Sequence, residues 1–172
     1  MLGRAVMNEL TAHGYDDVIG VDVKEMDITD EGRTASVITF VEPEVVVNCA
    51  AYTDVDGCER ETETAFTVNG VGPGNLAVAC REAVARLVHV STDFVFDGDK
   101  GEPYVETDEP APCSVYGASK LEGEKNVISN LDDHIIVRTA WLFGSGGVNF
   151  VDKVIARVET GDKLRVVGPS TP

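Results

Sequence analysis

Positive charge is scarce in this sequence. Fourteen Lys and Arg stand against thirty Asp and Glu, a net charge of −16, and such a surface repels nucleic-acid phosphate and anionic lipid alike. No nucleic acid and no membrane is expected as a partner. Long apolar runs are missing too: none approaches the roughly 20 residues that span a bilayer. The opening MLGRAVMNELTAHG is amphipathic and carries Glu9, which does not read as a secretory signal. A cytoplasmic location is expected. Cys49, Cys58, Cys80 and Cys113 show no Cys-x-x-Cys spacing and the histidines are scattered, so neither a zinc site nor a disulfide framework is signalled and no metal is expected. The sequence also lacks a Gly-x-Ser-x-Gly elbow and a Walker-type loop, which sets aside hydrolase and nucleotide-triphosphatase chemistry.

What remains is a globular mixture, 43% hydrophobic and 26% charged over 172 residues, enough for one domain with a substantial core. Short β-branched runs at 17–22, 44–50, 86–92, 134–140 and 163–168 read as buried strands. Between them, 30–42, 61–84, 114–131 and 149–161 read as helices, the second loosened or broken by NGVGPGN. Strands alternating with helices imply βαβ units and an α/β, doubly wound parallel sheet of Rossmann type, with ligands at the carboxyl ends of the strands. The stretch DFVFDGDKGEPYVETDEPAPC, 93–113, is a long loop, and loops of that length in compact domains are more often functional than idle.

SVYGASK, 114–120, follows that loop and places Tyr116 four residues ahead of Lys120. On a helix the two project from one face. An ammonium near a phenol favours the phenolate and lowers the tyrosine's pKa from about 10, which makes it a usable proton donor and acceptor. Such a pair arises by chance roughly once in seven sequences of this composition, so its placement matters more than its presence. The strand RLVHVST ends at Ser91, Thr92 and Asp93 just before the loop, and a hydroxyl there can hold a carbonyl oxygen while Tyr116 protonates it.

Thr92, Tyr116 and Lys120, within STDFVFDG and VYGASKLEGEK, resemble the extended short-chain dehydrogenase/reductase superfamily and, more narrowly, its dTDP-4-dehydrorhamnose reductase family. DITD (27–30), VVNCAAYTDVDGCE (46–59), AFTVNG (65–70), RTAWLFG (138–144) and NFV (149–151) extend the resemblance over nearly the whole chain. It implies hydride transfer from NADPH or NADH to the C4 ketone of a dTDP-linked 6-deoxy sugar. Tyr116 would supply the proton, Lys120 would bind the nicotinamide ribose, and Thr92 would hold the ketone oxygen. Gly3 and Asp22 would meet the cofactor, with Asp27 and Ile28 along its adenine and Ala50, Ala51, Tyr52 and Thr53 along its diphosphate and ribose. Asp93 and Trp141 would touch the dTDP-sugar substrate; a homodimer is left open. The rival implied by resemblance is a non-catalytic regulator like the methionine adenosyltransferase β subunit, or another nucleotide-sugar epimerase or dehydratase.

Two departures stand out. Phe94 occupies a position that is tyrosine in many relatives, so a hydroxyl is lost. The first strand and most of the Gly-x-x-Gly-x-x-Gly turn of the family are missing, Gly3 corresponding to its last glycine. The chain is therefore expected to be one partial NAD(P)-binding domain, 1–172, of a longer protein, with most of the substrate lobe beyond its end.

So acidic a surface, with six lysines at positions 24, 100, 120, 125, 153 and 163, suits a high-salt cytoplasm in which salt screens carboxylate repulsion. Stability should accordingly rise with added salt. A thermal midpoint that stays level or falls as salt is added would remove that reading.

Overall fold

The runs VVVN, RLVHVST and HIIVRT are rich in β-branched residues and pair into a parallel sheet in the order β1(Val45–Asn48), β2(Arg86–Thr92), β3(His134–Thr139). The computed structural model describes residues 1–144 and 149–160. The helices, in chain order, are α1(Leu2–Ala12), α2(Glu31–Val41), α3(Val55–Arg60), α4(Thr62–Phe66), α5(Gly72–Ala83), α6(Val115–Asn130) and α7(Phe150–Glu159). Residues Asp17–Ala140 make one compact unit; Met1–Asp16 and the described residues from Trp141 onward belong to a second. Among the described residues no helix is long and apolar enough to cross a membrane.

Register aligns the strand ends. Asn48 lies opposite His89, Ser91 opposite Arg138 and Thr92 opposite Thr139, so β1 stops short of the others and its following loop begins beside the middle of β2. Leu87, His89 and Ser91 alternate onto one buried face of β2, as the period of two demands. Against that strand pack α5 and α6, and α5 also meets α2. Ile28, Ile38, Leu76, Cys80, Leu87 and Val127 fill the space between them.

Local signals set the helix starts. Asp30 accepts from Arg33 N at the head of α2, Ser114 from Gly117 N at the head of α6, and Asn149 from Asp152 N at the head of α7; each leaves a side-chain oxygen over an orphan N–H. The loosening expected at NGVGPGN is a π-helical turn, Thr67–Val71, between α4 and α5, and Gly-Pro-Gly itself continues into α5. An extra residue in one turn rotates the helix face locally. That rotation turns Asn69 into the interior, where it is fully buried.

The strand expected at 17–22 is not formed. Those residues are irregular, with Ile19 65% and Val21 41% exposed. The cause is the missing ladder: β1 pairs only with β2 among the described residues, and an extended run without a hydrogen-bonding neighbour is not a strand. The run at 163–168 lies outside the described residues. The short helix α3 is not among the helices expected from the sequence.

Two glycines let α6 approach its neighbours. A Cβ at Gly117 would stand 2.1 Å from Phe94 O, and one at Gly123 would stand 2.1 Å from Asn69 O. Backbone cannot retreat from such contacts without moving whole elements. Gly123→Ala should therefore lose about 1–3 kcal/mol of stability or more by overpacking. Gly32→Ala, whose new methyl would meet only Asp30 Oδ1 at 3.5 Å, should gain up to about 1 kcal/mol from helix propensity. Urea denaturation compares them, and a Gly123→Ala midpoint equal to that of the parent would overturn the packing argument.

Candidate active site

Helix α6 lays Tyr116, Lys120 and Glu124 at intervals of four along one face, and the last three residues of β2 meet them. Lys120 Nζ donates to Val90 O at 2.7 Å. Ser91 Oγ donates to Glu124 Oε1 at 2.5 Å. Thr92 Oγ1 donates to Asp93 Oδ1 at 3.0 Å and accepts from Phe94 N at 3.2 Å, and the hydroxyl favours the ionised form of the nearby Tyr116 phenol. The expected trio of Thr92, Tyr116 and Lys120 is thus assembled at one strand end, with the exposed Asp93 beside it. Phe94, in place of tyrosine, stands edge-on to the Tyr116 ring at 5.6 Å between centroids.

The electrostatics differ from the sequence expectation. Burial pushes the Tyr116 phenol above its ordinary range, while the Thr92 hydroxyl pulls the other way. Lys120 is 2% exposed, and burial lowers its pKa to about 8, Glu124 opposing that fall. The lysine donates to the strand backbone rather than to the phenol. No lowering of the tyrosine accompanies this arrangement.

A second set of contacts, not anticipated from the sequence, ties the loop after β1 to α6. Asn69 Oδ1 accepts from Tyr52 N at 2.8 Å and its Nδ2 donates to Tyr52 O at 2.9 Å, the pairing that a neighbouring strand would offer. The same Nδ2 donates to Ser119 Oγ at 3.0 Å, which in turn donates to Tyr116 O at 2.8 Å. Lower down, Asn48 Oδ1 accepts from Ala50 N and Asn48 Nδ2 donates to His89 Nδ1 at 3.1 Å. His89 is fully buried, and burial lowers its pKa to about 3, so it is a neutral imidazole protonated on Nε2. Ala50, Ala51, Tyr52 and Thr53 therefore leave the carboxyl end of β1 on a backbone fixed from two sides.

Asp22 is exposed in a turn, its Oδ1 accepting from Val23 N. Asp27 accepts from Thr29 N and Thr29 Oγ1, which holds its carboxyl below the usual range. Ile28 is a core residue, its side chain against Gly72 and its carbonyl accepting from Asn75 Nδ2 at 2.9 Å; only its backbone could face a ligand. Gly3 lies within α1, and Trp141 is 76% exposed with a left-handed φ of 54°; both belong to the other unit. The long loop 93–113 is closed on itself: Phe96 stacks on Tyr104 at 4.1 Å, Lys100 pairs with Asp108 at 2.6 Å, and Ala111 N donates to Val95 O.

Comparison with known proteins places this geometry. The family described as RmlD substrate binding domain matches residues 1–169. The dTDP-4-dehydrorhamnose reductase of Streptomyces griseus is 45% identical over 168 residues, 97% of this chain and 55% of that protein. The crystal structure of a dTDP-4-dehydrorhamnose reductase from Clostridium acetobutylicum superposes with a TM-score of 0.88 at 43% identity, covering 92% of this chain and 56% of that one. One from Bacillus anthracis, in complex with NADP, gives a TM-score of 0.88 at 41% identity over 92% and 56%. The chain spans about half the length of the relatives it matches.

A buried ammonium is a liability to the fold, with a sign that can be measured. Below about pH 8 the folded and unfolded chains both carry the Lys120 proton, and the full penalty of burying the charge applies. Between about 8 and the ordinary 10.5 the folded chain has released a proton that the unfolded chain still holds, so this group makes stability rise with pH there. Lys120→Met should be more stable than the parent at pH 7, and its advantage should shrink across that window. An advantage independent of pH, or none, would overturn the assignment of Lys120 as a buried cation.

Proposed function

The chain belongs to the RmlD substrate binding domain family, and on that premise we propose that it is the NAD(P)-binding domain of a reductase that reduces the C4 ketone of a dTDP-linked 6-deoxy sugar, dTDP-4-dehydro-L-rhamnose to dTDP-L-rhamnose. The observation that carries this reading is the convergence of Thr92, Tyr116 and Lys120 on one strand end, where a parallel α/β sheet takes its ligands.

NADPH or NADH fits the residues present. Lys120 spends one hydrogen bond on Val90 O and an ammonium has three N–H groups, so donors are left for the hydroxyls of a ribose. The small Ala50 and Ala51 leave the fixed backbone after β1 approachable, and Asp22 is exposed for an adenosine ribose. The cofactor, when bound, supplies the hydride. The chain's own contribution is the proton: Tyr116 Oη gives it to the ketone oxygen, and the resulting phenolate is stabilised by the Lys120 ammonium. Thr92 has a single hydroxyl proton, now directed to Asp93 Oδ1. To orient a ketone it must turn from that carboxylate to the substrate oxygen, so Asp93 acts as the acceptor that the substrate displaces. Asp93 would border the sugar nucleotide.

The test follows NADPH oxidation with dTDP-4-dehydro-L-rhamnose for the parent and for Tyr116→Phe. Loss of proton donation should lower kcat by about 10²- to 10⁴-fold, with NADPH binding, read by fluorescence, retained. Undiminished turnover in the variant would remove Tyr116 from the role of proton donor. Turnover absent from the parent despite NADPH binding would remove the substrate assignment.

A further inference from the structure

The stripe on α6 does not end at Lys120. One turn further, Glu124 is 1% exposed and its carboxylate is fully engaged: Ser91 Oγ and Arg138 Nε donate to Oε1 at 2.5 and 3.0 Å, and Arg138 Nη2 donates to Oε2 at 2.7 Å. The guanidinium of Arg138 lies over the Phe96 ring at 5.0 Å. A buried carboxylate with a two-pronged arginine and a serine is a rigid anion. Its position relative to Lys120, four residues on along the same helix face, puts an anion next to a buried cation.

We propose that Glu124 is a positioning residue that keeps Lys120 charged: its carboxylate, locked by Ser91 and Arg138, is the anion that stabilises the buried ammonium. This rests on the reading of Tyr116 and Lys120 as the reductase pair. The groups that act on Lys120 leave little alternative. His89 on β2 is neutral and Cys49, after β1, is a thiol that burial keeps protonated. Tyr116, on the same helix, is a neutral phenol whose pKa burial has raised. Arg138 on β3 adds positive charge of its own and weakens the carboxylate's pull. Glu124 is therefore the anion of the set, and it works against the burial that takes the lysine down to about 8. With a midpoint of about 8, loss of that support would bring it to neutrality or below and leave much of the lysine uncharged at working pH. A neutral amine has two N–H groups, one of them engaged by Val90 O, so it could neither offer a ribose the two donors of the ammonium nor hold a phenolate.

The pair predicts shifts of opposite sign, which simple loosening cannot produce. With only six lysines in the chain, Lys120 can be followed by its side-chain ¹³C resonance in an NMR titration of the whole chain, with no substrate present. Glu124→Gln should lower the Lys120 midpoint by about one pH unit or more, the usual effect of removing an adjacent opposite charge. Arg138→Gln, which leaves the carboxylate unopposed, should raise it. If Glu124→Gln does not fold for want of a partner to Arg138, the double variant Glu124→Gln/Arg138→Gln, a neutral amide pair, should still titrate below the parent. Midpoints unchanged in all variants, or shifted in the same direction by Glu124→Gln and Arg138→Gln, would overturn the proposal. Because the readout is a lysine titration, it stands or falls separately from whether this chain reduces any ketone.

Discussion

One ammonium group, that of Lys120, is buried against the backbone of β2, and the surrounding structure is arranged around that fact. Removing a charge from water carries a penalty of several kcal/mol that a single carbonyl cannot offset. The fold meets it with Val90 O directly and with the Glu124 carboxylate one turn away, and the added carboxylate in turn needs Arg138 and Ser91. Each buried charge thus requires the next, until Arg138 reaches partial exposure over Phe96. The chain of compensation runs from α6 across β2 to β3, and so it ties the two elements that carry the expected chemistry to the next strand of the sheet.

Such a network works only at short range, which explains the two glycines on α6. Gly117 and Gly123 lie on either side of Lys120, and each lets a neighbouring carbonyl, Phe94 O or Asn69 O, come to where a Cβ would be. Helix and strand can then close to hydrogen-bonding distance of the lysine. The π-helical turn before α5 serves the same end from the other direction, because it turns Asn69 toward Tyr52 and Ser119. A regular helix through 67–71 would carry that amide elsewhere.

Much of this was legible. The strands at 45–48, 86–92 and 134–139 follow from β-branched runs of the right length, and α6 follows from Ser114 as cap with an uninterrupted helical stretch behind it. Tyr116 and Lys120 were legible because spacing of four is a local property of a helix. Glu124 continues that spacing and could have been found by the same rule, but its partners Ser91 and Arg138 come from two separate strands and no local pattern announces them. Asn69 was hidden for a different reason: the NGVGPGN segment signals a disturbance, not its kind. The segment at 17–22 shows the converse failure. Its composition is that of a strand, yet strand formation is settled by a hydrogen-bonding neighbour, and propensity carries no information about whether one is there.

The division of labour between charged and neutral hydrogen bonds gives the site its character. The loop 49–53 is fixed to the rest by neutral groups, Asn48 to Ala50 and His89, Asn69 to Tyr52 and Ser119, and the Cys58 thiol to Tyr52 O. None of these donors and acceptors titrates near neutrality, since His89 is held neutral down to about pH 3. The loop's position relative to Tyr116 is therefore insensitive to pH. The buried charge lies on the face of α6 that meets β2, where Lys120, Glu124 and Arg138 are gathered. Geometry and protonation are thus governed by different residues, so a change in the charge state of Lys120 need not displace the backbone that positions its neighbours. A phenol left high by burial, beside a lysine kept just on the charged side of neutrality, is a pair in which a modest gain in cationic character near the hydroxyl moves the proton. That is the condition a proton donor to a ketone has to meet.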